Sequence, residues 1–511
     1  MAAVYRRHIA NKLTPEIFVP LKCGGMETYM NYVVNGYEPR AVFEIFEDLC
    51  AIPHGSGNEK GIADYIDAYA TQRGLFVSRD ETGNVFVRKN ATPGYEETPA
   101  ILLQGHMDMV CEKNSDSDHD FLKDPLKLSV IDGHLWADGT TLGADNGIAV
   151  AMMLALLDTD AHPTLECLFT VEEETGLAGA QGFDCSIVTA KRMINLDSEE
   201  DHQITAGCAG GKRTEFTFDC KKIPTKEGDL FLEVSVTGLS GGHSGAEIHL
   251  GKTNAIVLMG RLLSAAYAAK GYFNIVKING GGKDNAIARE CFATLRFGCA
   301  EYLNIAKKAI INESLNIRKE INKDDKLLSV GIGKTEADYC FDSCLTERIL
   351  DFLTLIRTGV LKMSNQISGL VEFSRNLGIA ATEEDKVRFT LSTRSSLEAQ
   401  LDLSIRELDA LADLVGADCR HYARYPGWEF EPASLLREQY IEKFKFLFGK
   451  EPTVGVIHAG LECGILSSKM PGMDIISIGP NMYDIHSPAE HLDLASCERV
   501  WQVVKAVIEE K

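Results

Sequence analysis

The chain has 511 residues, too many for one hydrophobic core, so two or more domains are expected. Its composition, 45% hydrophobic and 25% charged, is that of an ordinary globular protein, and no apolar run is long enough to cross a bilayer, so no membrane partner is expected. The formal net charge of −22 repels phosphate backbones, which sets nucleic acid aside as a partner, and it fits a carboxylate-rich site whose charge a cation would offset.

From the N-terminus, two basic residues, Arg6 and Arg7, precede a segment broken by prolines and glycines, so no signal peptide is expected. Residues 1–37 read as an N-terminal extension, either disordered or upstream of a true start at Met26 or Met30. Ala41–Ala51 is an amphipathic helix, and Glu59–Arg73 is another, with Gly74 as its stop signal. Ala100–Gln104, Leu165–Val171, Arg192–Leu196 and Asp474–Gly479 are short apolar runs without strict alternation, the pattern of central strands covered on both faces. Gly147–Leu157 is apolar on nearly all sides and reads as a buried helix. This alternation of strand and helix predicts an α/β layer architecture.

The middle of the chain differs. Leu230–Gly238 and Val387–Ser392 alternate like half-exposed strands, and a helix is expected over Leu397–Gly416. An antiparallel sheet with helices on one face is expected here, inserted as a second, α+β domain. The predicted division is an α/β domain over 38–210 and 433–511, interrupted by an inserted domain over 211–432. Leu435–Phe448 is expected to be helical. The fourteen cysteines are scattered with no C-x-x-C pair, which predicts reduced thiols and a cytoplasmic location rather than a disulfide or zinc-ribbon framework.

Sites in open α/β sheets form beyond the carboxyl ends of strands. In "QGHMDMV", His106 and Asp108 follow a predicted strand and point to one side, so His106 can ligate while Asp108 accepts its other ring N–H. In "GTTLGADNG", Asp145 is either a helix cap or a carboxylate that bridges two ions. "VEEETG" supplies Glu172, Glu173 and Glu174, one of which can ligate and another face the substrate. "INLDSEE" supplies Asp197, and "IGPNMYDIHSPAEH" supplies His486. Any one of these is ordinary surface chemistry, but five at strand ends point to a site. Two histidines with several carboxylates suit zinc, manganese or cobalt rather than calcium, and suffice for two ions. A further acid must then move the water's proton to a leaving amine.

These segments, with "IPHGSGNE", "HDFLKDPLKL", "CAGG", "GGHSGAEIH", "YPGW" and "HAGLECG", resemble the dinuclear-zinc metallopeptidase family of carboxypeptidase G and peptidase T, and within it the aminoacyl-histidine dipeptidase group. The resemblance runs from about Pro39 to near the C-terminus. It implies a zinc-exopeptidase-like domain carrying an α+β lid that also forms a homodimer. It implies two divalent ions, zinc first with manganese or cobalt as alternatives. Asp145 would bridge them, with His106 and Asp197 on one ion and Glu174 and His486 on the other. Glu173 is the implied general base and acid, and Asp108 the residue that orients His106. A non-proline cis peptide is implied after Asp145. In the lid, His243 is implied to stabilise the oxyanion, while Asn285 and Arg394 hold the substrate backbone and its carboxylate. His458 is a further candidate substrate contact, and Glu462 a candidate partner for the substrate's free amine. The implied activity is hydrolysis of unblocked dipeptides, with Xaa-His substrates such as β-alanyl-histidine as the candidate preference. The alternatives are an N-acyl-amino-acid deacylase and a catalytically silent metal- or peptide-binding protein. Glu173 beside a full ligand set argues against silence, since binding alone needs no general base.

Overall fold

The structure is a computed structural model that describes residues 32–365, 367 and 369–511. The expectations for residues 1–31, including the starts at Met26 and Met30, lie outside the described residues. The chain forms two units: the first takes in the N-terminal part to Ala206, with Glu431–Gly455 and Ile465–Lys511, and the second takes in Gly207–Phe430 with Val456–Gly464.

The first unit is built on a mixed sheet in which Leu165–Thr170, Ile101–His106, Arg192–Asn195 and Asp474–Ser477 lie side by side in parallel. Antiparallel strands Val85–Lys89 and Phe76–Arg79 extend one side, and Gln203–Cys208 and Thr453–Ile457 the other. Every residue of Ile101–His106 and Leu165–Thr170 is buried, as expected of strands covered on both faces. The Ala144–Leu156 helix is buried along almost its whole length and packs against the Arg40–Cys50 helix. A smaller four-stranded sheet joins Leu128–Ile131 and His134–Ala137 to Met482–Tyr483 and His491–Asp493. It anchors both ends of the loop that carries His486.

Tyr32–Tyr37 fall inside the expected extension, yet they are ordered against the Arg40–Cys50 helix. Val34 is buried in the core, the backbone N–H groups of Val33 and Val34 donate to Glu47, and the Tyr32 hydroxyl donates to Asp48. Sequence patterning missed them because six residues are too few to show a period.

The second unit is an antiparallel sheet with its own core. Its main path runs Ser329–Lys334, Leu230–Thr237, Cys291–Phe297, Asn274–Gly280, Val371–Thr382, Lys386–Ser395, Gly210–Asp219 and Asp418–Tyr425. Leu232, Val234 and Val236 alternate inward, and helices Ala255–Ala268, Ala300–Glu320, Ser343–Leu355 and Glu398–Val415 contribute to the same core. Val456–Gly464, which carries His458 and Glu462, clusters with this unit rather than with the catalytic segment in which the sequence division put it.

Candidate functional site

The site in the first unit starts at the carboxyl end of the Ile101–His106 strand. His106 is 1% exposed, and its Nε2 lies 3.2 Å from Asp145 Oδ1 and 3.5 Å from Asp197 Oδ1. Its other nitrogen, Nδ1, is 3.0 Å from the Asp108 carbonyl oxygen and 3.3 Å from Asp108 Oδ1. Those acceptors place a ring proton on Nδ1, so with a cation between Nε2 and the two carboxylates, Nε2 would present its lone pair to it.

Asp108 has a second task. Its Oδ1 accepts from the Glu173 N–H (3.0 Å) and its Oδ2 from the Glu174 N–H (3.2 Å) and the Ser56 hydroxyl (2.8 Å). One buried carboxylate thus aligns the histidine and fixes the acidic loop. Burial alone would raise its carboxyl, but the His106 and Ser56 hydrogen bonds and the loop N–H outweigh it and hold it below the usual range. The Glu172 N–H is bound in turn by Glu59 (3.2 Å), and Glu172 takes a positive φ of 50° as the chain bends.

Asp145 precedes the regular part of its helix: Asp145 and Asn146 are non-helical, and the peptide bond between them is cis. Buried Glu490 clamps this turn by accepting from the N–H groups of Leu142 (2.8 Å), Gly143 (3.1 Å) and Ala144 (2.9 Å). Asn146 ties the turn inward. Its Oδ1 accepts from the His106 N–H at 3.2 Å, and its amide donates to the Leu196 carbonyl at 2.9 Å. A Cβ at position 105 would lie 2.4 Å from that Oδ1, so glycine is required there. Asp145 Oδ1 therefore faces His106, while its Oδ2 lies 3.2 Å from His486 Nε2. His486 Nε2 is also 2.8 Å from Glu174 Oε1.

Three sets of donor atoms converge within 4.8 Å: His106, Asp145 and Asp197; Asp145, Glu174 and His486; and His106, Glu173 and Glu174. Tetrahedral zinc with nitrogen and oxygen ligands needs donors about 3.4 Å apart; the separations of 3.2, 3.5 and 3.2 Å around Asp145 and Asp197 are close to this, while His486 and Glu174, at 2.8 Å, stand closer together. The electrostatics call for positive charge. Burial opposes a charge on His106, yet Asp197, Asp108 and Asp145 hold its imidazole well above the usual range. Hydrogen bonds to Asp145 and Glu174 push His486 up to about 11. A divalent cation supplies the same charge, so the donor set fits metal. Ser56, Glu59 and Glu490 escaped the sequence reading as site residues. Their signal was there: they lie in "IPHGSGNE" and "HSPAEH".

The second unit assembles its own group. His243 stands opposite Ala286 in a short antiparallel ladder, its backbone N–H donates to Glu247 Oε2 at 2.7 Å, and the Ser244 N–H donates to the Asn285 carbonyl at 2.8 Å. His243 Nδ1 accepts from the N–H of Ala246 (3.0 Å) and of Gly245 (3.3 Å), so the neutral ring carries its proton on Nε2. Burial, then Arg394, lowers its basicity and keeps it neutral. Gly245 is hemmed in: a Cβ there would meet the His458 carbonyl at 2.6 Å, His243 Cε1 at 3.0 Å and Arg394 Cζ at 3.2 Å. Arg394 is 5% exposed, donates from Nη1 to the Tyr425 hydroxyl at 3.0 Å, and has no Nε partner among the described residues. His458 Nε2 bonds Ser374 at 2.7 Å, and burial lowers its basicity to about 3. Glu462 is fully buried at the start of the Glu462–Lys469 helix.

Comparison with known proteins adds to this geometry. The model of peptidase family M20/M25/M40 matches residues 102–510. The cytosol non-specific dipeptidase of Escherichia coli (strain K12) is 37% identical over 482 residues, 92% of this chain and 98% of that protein. The crystal structure of aminoacylhistidine dipeptidase from Vibrio alginolyticus superposes with a TM-score of 0.86 at 35% identity, covering 93% of this chain and 97% of that one. An aminopeptidase of Bacillus cereus shares the fold at 17% identity, with a TM-score of 0.54 over 93% of this chain and 98% of that one.

Proposed function

Because the chain belongs to peptidase family M20/M25/M40, we propose that it hydrolyses unblocked dipeptides, Xaa-His substrates among them, at a site holding two divalent ions. The observation that carries this reading is Asp145, whose two oxygens face two different histidines. His106 and Asp197 complete one ligand set, and Glu174 and His486 the other. Ions bound there polarise the scissile carbonyl and lower the pKa of water. Zinc suits the nitrogen and oxygen donors, with manganese and cobalt as alternatives.

The rest is the work of the chain's own residues. Glu173 takes the proton of the attacking water and passes it to the leaving amine. Its backbone is pinned by Asp108, so its carboxylate leaves a fixed point beside the ligands. Asp108 also holds His106 in the tautomer that ligates through Nε2. His243, neutral with its proton on Nε2, is suited to donate to the oxyanion, which gains full charge only in the transition state. Arg394 offers a guanidinium fork to the substrate carboxylate, and Asn285 an amide to its backbone. His458, held by Ser374, is kept as a neutral substrate contact, and Glu462 as the candidate partner of the free amine.

The E. coli relative's name supports a cytosolic location. Ile311 and Leu315, one turn apart on the Ala300–Glu320 helix and 50% and 55% exposed, support the second unit as the dimerising lid.

The test strips the purified protein of metal and restores zinc, manganese or cobalt separately. Hydrolysis of β-alanyl-histidine, alanyl-histidine, leucyl-glycine, a tripeptide and N-acetyl-histidine is then followed. Metal-dependent cleavage confined to the dipeptides is expected. Cleavage of the acetylated compound alone moves the assignment to a deacylase, and metal uptake without cleavage makes the protein a binder.

A further inference from the structure

A second cluster with metal-ligand chemistry lies within the second unit, and none of the preceding functions uses it. The Glu398–Val415 helix is followed by Gly416 with a left-handed φ of 65°, and the chain returns as the edge strand Asp418–Tyr425. This tight reversal sets Asp409 of the helix beside Cys419 and His421 of the strand. Cys419 and His421 are two apart on an extended segment and so share the face that the helix covers.

The donor atoms meet. His421 Nε2 lies 3.0 Å from Asp409 Oδ1 and 3.8 Å from Cys419 Sγ, and all three donors fall within 4.8 Å of one another. A tetrahedral zinc ion places nitrogen and sulfur ligands about 3.6 Å apart and nitrogen and oxygen ligands about 3.4 Å apart. The other face of the ring is also arranged for ligation: His421 Nδ1 is 2.9 Å from Thr214 Oγ1 on the paired strand. With Nδ1–H donating to that hydroxyl, Nε2 presents its lone pair toward Cys419 and Asp409.

We propose that Asp409, Cys419 and His421 form a further site for a soft divalent cation of the zinc class, with water as fourth ligand, that staples the helix to the edge strand. On binding, a metal–sulfur bond replaces the Cys419 S–H bond and the proton leaves to solvent. The thiolate, the carboxylate and the ion then sum to no net charge. That balance matters because cationic Lys212 acts on Cys419, with Arg375 and Arg424 acting on Lys212 in turn, and Asp413 adds a further negative charge beside Cys419. Lys212 is 1% exposed, and its Nζ has no hydrogen-bond partner among the described residues. A more positive site would be repelled. The edge strand gains a cross-link at the place where a sheet is otherwise easiest to open.

The site can be read separately from the candidate metal centre, which contains no sulfur. The full-length protein is stripped, loaded with cobalt, and examined for the near-ultraviolet sulfur-to-cobalt charge-transfer band. Zinc stoichiometry is measured in parallel by dialysis and elemental analysis. The band is expected in the parent protein and absent in Cys419→Ser and His421→Ala. Both variants should bind about one zinc per chain less while keeping dipeptide turnover. Asp409→Asn should keep the band but bind cobalt more weakly. No band in the parent protein, or a band of equal intensity in Cys419→Ser, overturns the proposal. Since neither readout requires catalysis, failure here is distinct from failure of the dipeptidase reading.

Discussion

Glu173 and Glu174 are neighbours with separate proposed tasks, and Asp108 fixes both by binding one backbone N–H with each of its oxygens. Glu174 is drawn to His486, and Glu173 is the proposed proton carrier. Glu173→Gln keeps the size and the loop contacts but cannot accept the proton. Its kcat is expected to fall by about 10²–10⁴-fold or more with metal content unchanged by elemental analysis. Loss of metal together with activity would make Glu173 a ligand instead. His458 yields a pH prediction. Burial and Arg394 lower its basicity from the usual 6.5 to about 3, so between those values the unfolded chain takes up a proton that the folded chain refuses. The His458 contribution to the stability of the second unit is therefore constant above that window and falls as pH drops through it. His458→Gln retains a partner for Ser374 and should flatten this decline when denaturant midpoints are compared at pH 7 and pH 5. At this scale residue types were legible in the sequence, and so was the His106–Asp108 pair two residues apart, but distant partnerships were not. Ser56 and Glu490 look like ordinary loop residues until the fold brings them to Asp108 and to the Leu142–Ala144 turn, 52 and nearly 350 positions away.

Among the elements, the decisive one is the turn from Leu142 to Asn146. It presents Asp145 between two histidines because Glu490 holds its outer N–H groups and Asn146 its inner side. Gly105 on the neighbouring strand leaves the space for Asn146. Gly105→Ala forces a methyl against Asn146 Oδ1 and, at 2.9 Å, against Ala149. We expect a stability loss of about 1–3 kcal/mol in denaturant titration and weaker metal retention in the same variant. The strands Ile101–His106 and Leu165–Thr170 and the helices Arg40–Cys50 and Leu435–Phe448 were readable from pattern to within two residues. Each is long enough to show a period or an apolar run. The four-stranded sheet around Met482–Tyr483 and His491–Asp493 was not readable, since strands of two and three residues carry no pattern.

At the scale of the whole molecule, each unit has its own hydrophobic core, one drawn from residues 34–204 and 436–508, the other from residues 216–415. Residues 207–430 expressed alone are therefore expected to fold, giving a cooperative thermal transition and dispersed amide signals. A molten, non-cooperative fragment would show that the returning Val456–Gly464 segment is indispensable. Chelation of the intact chain should lower only the transition belonging to the first unit, unless zinc at Cys419 and His421 also supports the second.

Composition and pattern by themselves determined the α/β class, the inserted antiparallel unit and the set of histidines and carboxylates, because apolar periodicity and residue chemistry are local properties of a chain. Only the tertiary structure decided which oxygen of Asp145 faces which histidine, which nitrogen of His106 and of His243 carries the proton, and that Cys419 and His421 meet Asp409. Those facts depend on hydrogen bonds and approaches of a few ångströms between segments far apart in sequence or across a turn, and no one-dimensional pattern encodes them.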